Sequence, residues 1–288
     1  MQLIRDPAQL AAFAGAALVP TMGALHPGHL ALMRRAKELA DYLILSIFVN
    51  PTQFAPDDDF DRYPRTLDAD LEAAKDVGVD VVFMPEVDAM YPPDVDVPVP
   101  PLPLVATKPH LEDTHRRGHF AGVCQVVARL FDLVKPSVAV FGEKDYQQLL
   151  VIRAMVQQQA DRWPRLRIES CPTVREPDGL ALSSRNSNLS SDDRRIACEM
   201  YHRLCWAQHA ELPGQASMTE AEHVMSELLR YVGFEVDYAV IRDAATLMPL
   251  ERFDRPARAL AAVRLGAVRL IDNVPVDPAD RGLQSTDE

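Results

Sequence analysis

Short apolar runs alternate with segments of helical spacing through the first 171 residues. Residues 16–20 form an apolar run and 23–28 a loop. Leu30, Met33, Ala36, Lys37 and Ala40 then follow at helical spacing. Residues 42–49 read as a buried strand by length and β-branching. Residues 66–77 read as a helix with Leu67, Leu71 and Ala74 on one face, and 80–84 as a strand. A helix over 121–134, a strand over 137–141, a helix over 146–160 and a strand over 166–171 complete the series. Strands alternating with helices predict a parallel sheet covered on both faces. Five such strands by residue 171 predict an α/β fold with a Rossmann-like, doubly wound domain.

Two stretches depart from this rhythm. Residues 92–103 hold six prolines interleaved with Val95, Val97 and Val99. Proline lacks an N–H and blocks both helix interiors and central strands, so an extended surface excursion is expected, with an edge strand as the alternative. No P-x-x-P there is paired with a basic anchor. After about residue 175 the order changes. Ser190 with Asp193 three residues on has capping-box spacing and opens a long helix. A second helix is expected over 219–232, then strands over 235–241, 257–263 and 267–273, with a turn at Gly266. Helices followed by an antiparallel meander make an α+β unit. The expected division is therefore residues 1–174 and 175–288, with a polar, frayed tail from Asp277.

Composition narrows the function. The 288 residues carry 30 Lys+Arg against 42 Asp+Glu, a formal charge of −12. Nucleic-acid surfaces need basic patches, so that class is disfavoured. Small anionic ligands respond to the local field and stay open. No apolar run approaches the roughly 20 residues of a membrane span. The N-terminus lacks the basic start and apolar core of a signal peptide, so a cytoplasmic protein is expected. Cys124, Cys171, Cys198 and Cys205 form no C-x-x-C pair, which leaves reduced, structural thiols as the expectation.

Glycine is scarce, at 12 residues, so a loop glycine is informative. Pro20–His29 joins the first strand to the first helix, at the carboxyl end of the strand, where open α/β sheets bind ligands. Gly23 permits an unusual turn, and Gly28 stands beside a helix N-terminus whose N–H groups favour phosphate. His26 and His29 frame that terminus. They offer donors to a polyphosphate without a permanent charge; a capping turn with surface histidines is the plainer alternative. Phe141-Gly142-Glu143-Lys144-Asp145-Tyr146-Gln147-Gln148 lies at a second strand–helix junction. Lys144 suits phosphate charge as it develops, and Asp145 suits ribose hydroxyls. Asp178–Asn186 is a turn followed by Ser183, Ser184 and Arg185, a possible forked phosphate contact or an ordinary linker. Asn50-Pro51-Thr52-Gln53-Phe54 places an amide at a sheet edge.

His26-Pro27-Gly28-His29 is an H-x-G-H motif, the mark of the nucleotidylyltransferase superfamily. With Pro20–His29, Ser46–Phe54, Tyr63–Thr66, His119–Val123, Phe141–Gln148, Val174-Arg175, Asp178–Asn186 and Arg269–Asn273 in this order, the chain resembles the pantothenate synthetase (pantoate–β-alanine ligase) family from about Val19 to Asn273. The resemblance implies a two-step reaction. ATP and (R)-pantoate give a pantoyl adenylate and pyrophosphate; β-alanine then attacks, giving pantothenate and AMP. It places Met22, Gly23, Ala24, Leu25, His26, Pro27, Gly28 and His29 along ATP. His29 is the acid-like catalytic group, with His26 and Lys144 beside it. Gly142, Glu143, Lys144 and Asp145, together with Leu182, Ser183, Ser184 and Arg185, would hold the nucleotide and its phosphates, and Val174 would meet adenine through its backbone. Gln53 and Gln148 would bind pantoate, with Gln53 also facing β-alanine. Mg2+ accompanies ATP, with no ligands assigned. A homodimer built through the first domain and a second domain that closes as a lid are also implied.

Pro27 replaces the family's usual acidic residue, and Thr52 its usual methionine. Ala69 stands where an acidic residue commonly precedes Asp70, which weakens a claim that Asp70 binds magnesium. Asp57–Asp59 reads as a solvated acidic loop rather than a cation site, because calcium-loop spacing and glycine are missing. His110 and His115 are expected at the surface, and His119 either near the site or structural. Another adenylyltransferase, a tRNA synthetase or a non-catalytic relative of the fold are the competing readings. The first would not need Gln53 and Gln148 with a C-terminal lid, the second needs a basic surface, and the third predicts loss of His29, Lys144 or Arg185.

Overall fold

In the computed structural model, which describes residues 1–54, 60–208 and 215–277, six short strands make one parallel sheet. They are β1 (Gln2–Ile4), β2 (Ala17–Thr21), β3 (Leu43–Ile47), β4 (Val81–Phe83), β5 (Val138–Gly142) and β6 (Arg167–Cys171), in the order β1-β4-β3-β2-β5-β6. Side chains along a strand alternate between faces, and here both faces are apolar. Ala17, Val19, Leu43, Leu45, Val138 and Val140 pack into one core. Leu18, Ile44, Ala139 and Phe141 point into the other. The connecting helices are α1 (Pro27–Lys37), α2 (Leu67–Val77), the single turns α3 (Val87–Met90) and α4 (Glu112–His115), then α5 (His119–Val134) and α6 (Tyr146–Gln158).

The doubly wound architecture follows the expected pattern, including the extended excursion over residues 92–103, with two differences, the added strand β1 and the earlier start of α5. β1 is an additional edge strand, paired with β4 across about 80 residues of sequence, and three residues are too few for a periodic signal. Residues 92–103 form neither helix nor strand; Gln125 Nε2 donates to Val97 O at 2.6 Å and pins the excursion to α5. α5 begins at His119, two residues before the expected start, so that histidine sits in its first turn. The Asp57–Asp59 loop lies outside the described residues, as does the tail beyond Asp277.

β2 lies between β3 and β5, so the chain leaves it in one direction and returns on the other side. At such a reversal the loops after the two central strands part and leave a crevice at their carboxyl ends. The loops concerned are Met22–His26 after β2 and the tight turn Glu143–Asp145 after β5.

Contacts within the chain define two compact units, Met1–Val174 and Arg175–Glu288. The second unit holds α7 (Ser191–Ala197), α8 (Glu199–Trp206), α9 (Gln215–Tyr231) and an antiparallel sheet of β7 (Glu235–Asp243), β8 (Ala257–Leu265) and β9 (Val268–Val276), in that order. Ser190 Oγ accepts from Asp193 N at 3.1 Å, the cap expected from the sequence. The long helix expected after it is two helices, parted at Cys198. Gly266, with φ +57°, makes the β8–β9 turn.

Candidate active site

The loop after β2 is held in a conformation most residues avoid. Gly23 has φ +84° and Ala24 φ +50°. A Cβ on Gly23 would sit 3.0 Å from Asp70 Oδ2 and 3.2 Å from Ile47 Cγ2, so only glycine suits this position. Left-handed backbone at a non-glycine residue costs roughly 1–2 kcal/mol, and Asp70 offsets it. Its carboxylate accepts from Ala24 N at 2.9 Å, from Leu25 N at 2.8 Å and from Thr66 Oγ1 at 3.1 Å. Asp70 is 2% exposed, buried at the start of α2. Its oxygens are thus engaged by the loop and by Thr66.

The two motif histidines then cap α1 reciprocally. His26 Nδ1 accepts from Gly28 N at 3.2 Å, and His29 Nδ1 accepts from His26 N at 3.4 Å. A nitrogen that accepts carries no proton, so in both rings the proton sits on Nε2. The rings lie 4.0 Å apart between centroids. Burial pushes the His26 pKa down to about 4, with Lys144 adding to the fall and Asp145 opposing it. Burial likewise takes His29 down to about 3, followed by the influence of His26. Both are neutral Nε2–H donors at pH 7. Pro27 occupies the first turn of α1, where its missing N–H is not needed.

The turn after β5 meets this pair. Lys144 and Asp145 both act electrostatically on both histidines, so the two loops share one location at the switch point. Lys144 Nζ lies 3.7 Å from Asp145 Oδ1. On α6, Gln147 faces inward: its amide accepts from Glu112 N at 3.0 Å and donates to Val105 O and Asp113 Oδ1 at 2.9 and 3.0 Å. Gln148, the next residue, is half-buried on the same first turn.

Gln53 ends a 3-10 turn, Pro51–Gln53, after β3. Its Nε2 donates to Met22 Sδ at 3.1 Å, a weak acceptor, and its Oε1 accepts from Asn50 Nδ2 at 3.3 Å. Gln53 and Met22 therefore meet, which links the amide to the loop after β2. Asn50 is 1% exposed, and its Oδ1 also receives Tyr91 OH at 2.8 Å and Thr52 Oγ1 at 3.2 Å.

The remaining residues belong elsewhere. Val174 is the last residue of the first unit. Leu182, Ser183, Ser184 and Arg185 belong to the second, where Ser183 Oγ caps the turn Ser184–Asn188 by accepting from Arg185 N at 3.3 Å. The base of that loop is firm. Arg175 pairs with Asp272 at 2.6 and 2.9 Å, donates to Gly179 O at 3.1 Å and stacks over Tyr201 at 4.0 Å. Asp178 pairs with Arg194 at 2.6 Å.

Among the described residues no group of three or more His, Cys, Asp or Glu side chains is arranged to hold a metal ion. No described helix is long and apolar enough to cross a membrane. His110 and His115 are exposed. His119 is buried, its pKa lowered to about 4 chiefly by burial and then by Arg116. Sequence reasoning missed the roles of Asp70 and Asn50. Asp70 stands 46 residues from the amide it holds, and no local pattern signals a contact at that distance.

Comparison with known proteins gives the family. The family model described as Pantoate-beta-alanine ligase matches residues 2–275. The chain is 44% identical to the pantothenate synthetase of Desulfatibacillum aliphaticivorans, over 96% of this chain and all of that one. It is 49% identical to that of Xylella fastidiosa strain M12, over 90% of each. Among solved structures, pantothenate synthetase from Thermus thermophilus superposes with a TM-score of 0.89 at 43% identity, covering 96% of this chain and 100% of that one. The Francisella tularensis pantoate-beta-alanine ligase, complexed with Beta-gamma ATP and Beta-alanine, gives a TM-score of 0.76 at 34% identity, covering 95% and 97%. The chain belongs to the pantoate–β-alanine ligase family.

Proposed function

We propose that this chain condenses (R)-pantoate with β-alanine, consuming ATP and releasing AMP and pyrophosphate through a pantoyl adenylate. The observation that carries the reading is the pair of neutral Nε2–H imidazoles beside Lys144 at the sheet's switch point. The first step joins two anions. A pantoate carboxylate oxygen attacks the α-phosphorus, and the bond to pyrophosphate breaks. Negative charge builds on the phosphate oxygens. His26 and His29 meet it as fixed hydrogen-bond donors and Lys144 as a point charge. His29 thus acts by donating a hydrogen bond from a neutral ring. Positioning and charge stabilisation carry such a transfer without an enzyme nucleophile.

In the second step the β-alanine amine attacks the acyl carbon, the bond to AMP breaks, and the amine loses a proton. Gln53 and Gln148 hold pantoate by its hydroxyls and carboxylate, with Gln53 also facing β-alanine. Gly142–Asp145, Val174 and Leu182–Arg185 bind the nucleotide. Mg2+ brought in with ATP would offset phosphate charge, as suits an ion that relies on substrate phosphates more than on a protein cage. The relative crystallised with Beta-gamma ATP and Beta-alanine supports the substrate assignment. Association as a homodimer through residues 1–174 and work in the cytoplasm belong to the same reading and rest on the family resemblance. Sedimentation equilibrium checks the former.

The test is oxygen transfer. Pantoate labelled with 18O in its carboxylate is turned over with ATP and β-alanine. One labelled oxygen per turnover is expected in the phosphate of AMP. Unlabelled AMP contradicts the adenylate.

A further inference from the structure

Gln53 owes its position to the first turn of α5, a segment more than sixty residues away in sequence. Three contacts tie the two together. His119 Nδ1 lies 3.0 Å from Gln53 O; a carbonyl only accepts, so the ring donates there. Its Nε2 lies 3.0 Å from Arg116 Nη1, and a guanidinium only donates, so that nitrogen accepts. His119 is therefore locked as the Nδ1–H tautomer, the opposite of His26 and His29. Asn50 Nδ2 donates to Gly122 O at 3.2 Å while also holding the Gln53 amide. Gly122 itself lets the backbones touch. A Cβ there would stand 2.3 Å from Thr52 O and 2.6 Å from Gln53 Cα. No side chain fits that gap, and the obstruction is backbone, which does not swing aside.

We propose that His119 and Gly122 are positioning residues for pantoate: the first turn of α5 is the seat that fixes the Pro51–Gln53 turn and so aims the Gln53 amide. This rests on the reading of Gln53 as a pantoate ligand. The seat explains why a short turn with an exposed Thr52 presents its amide in one place, and it gives buried His119 a role without contact to substrate. A ring that donates to one backbone carbonyl and accepts from Arg116 works as a spacer of fixed length.

The experiment compares Gly122→Ala, His119→Ala, His119→Asn and Gln53→Ala in full-length enzyme. Apparent KM for pantoate and for ATP are measured by pyrophosphate–ATP exchange, and Tm is recorded alongside. Gly122→Ala and His119→Ala are expected to raise the pantoate KM about tenfold and leave the ATP KM within twofold. His119→Asn keeps a donor near the Nδ1 position and is expected to recover most of the loss. A pantoate KM unchanged in His119→Ala, an equal rise in both KM values, or no recovery in His119→Asn overturns the proposal. The His119 pair decides the matter if Gly122→Ala does not fold. Gln53→Ala separates the two layers. If it leaves pantoate KM unchanged, the reading of Gln53 fails; if it raises it while the His119 variants do not, only the seat fails.

Discussion

Around the switch point of the first unit, polarity comes mainly from neutral groups held by backbone. In the second unit it comes from arginines clasped by carboxylates. His26 and His29 are fixed by amide N–H groups and present Nε2–H. Arg175, Arg194, Arg242, Arg255 and Arg269 face Asp272, Asp178, Glu222, Asp243 and Asp237. The first unit has its own peripheral ion pairs, such as Arg35 with Glu169, but its crevice is built differently. A clasped arginine has its charge matched by a carboxylate. A neutral imidazole whose acceptor nitrogen caps a helix keeps its one donor for a ligand. The contrast explains how a chain of net charge −12 suits anionic substrates, because the field that matters is local.

The contrast breaks most sharply at Lys144 and Arg175. Lys144→Ala is expected to lower kcat on the order of a hundredfold, about 3 kcal/mol of transition-state stabilisation, with Tm unchanged. Arg175→Ala leaves Asp272 buried and unpaired, and should cost about 3 kcal/mol of stability, visible as a lowered Tm. A reversed pattern, with Lys144 governing Tm and Arg175 leaving it untouched, would sink the distinction. Asp70→Asn comes next. It weakens charge-assisted bonds to the Ala24 and Leu25 amides, worth roughly 1.5–3 kcal/mol each, and should raise the ATP KM more than the pantoate KM. Equal rises would mean that the loop and the Gln53 turn move as one.

The remaining test is in pH. His26, His29 and His119 have folded values of about 4, 3 and 4, below the roughly 6.5 of a free imidazole. Between these values the unfolded chain binds more protons than the folded one, so stability falls as pH drops from about 6.5 toward 3 and is level above it. Nitrogen-15 spectra read the rings directly. All three should stay neutral down to pH 5, with the proton on Nε2 in His26 and His29 and on Nδ1 in His119. Protonation of either motif ring near pH 6.5 contradicts the neutral-donor account.

Much of this arrangement was written locally. The strand at 42–49, the loop at 23–28 and the helix after His29 follow from apolar period, glycine and proline. The Ser190 cap was equally visible. The supports were not. Asp70 reaches the Ala24 amide across 46 residues and Asn50 reaches Gly122 O across 72, and each exists only once the sheet has formed. Gly122 lies in the His119–Val123 stretch that resembles a family motif, but its structural part is set by the backbone it touches. Motif side chains announce the chemistry, while the residues that aim them are set by packing between distant segments.

The central claim is that the crevice first joins pantoate to AMP. Pyrophosphate–ATP exchange measures that step alone. With labelled pyrophosphate, ATP, Mg2+ and (R)-pantoate, and without β-alanine, label should enter ATP, and omission of pantoate should abolish it. Exchange that proceeds without pantoate, or none until β-alanine is added, would contradict the account.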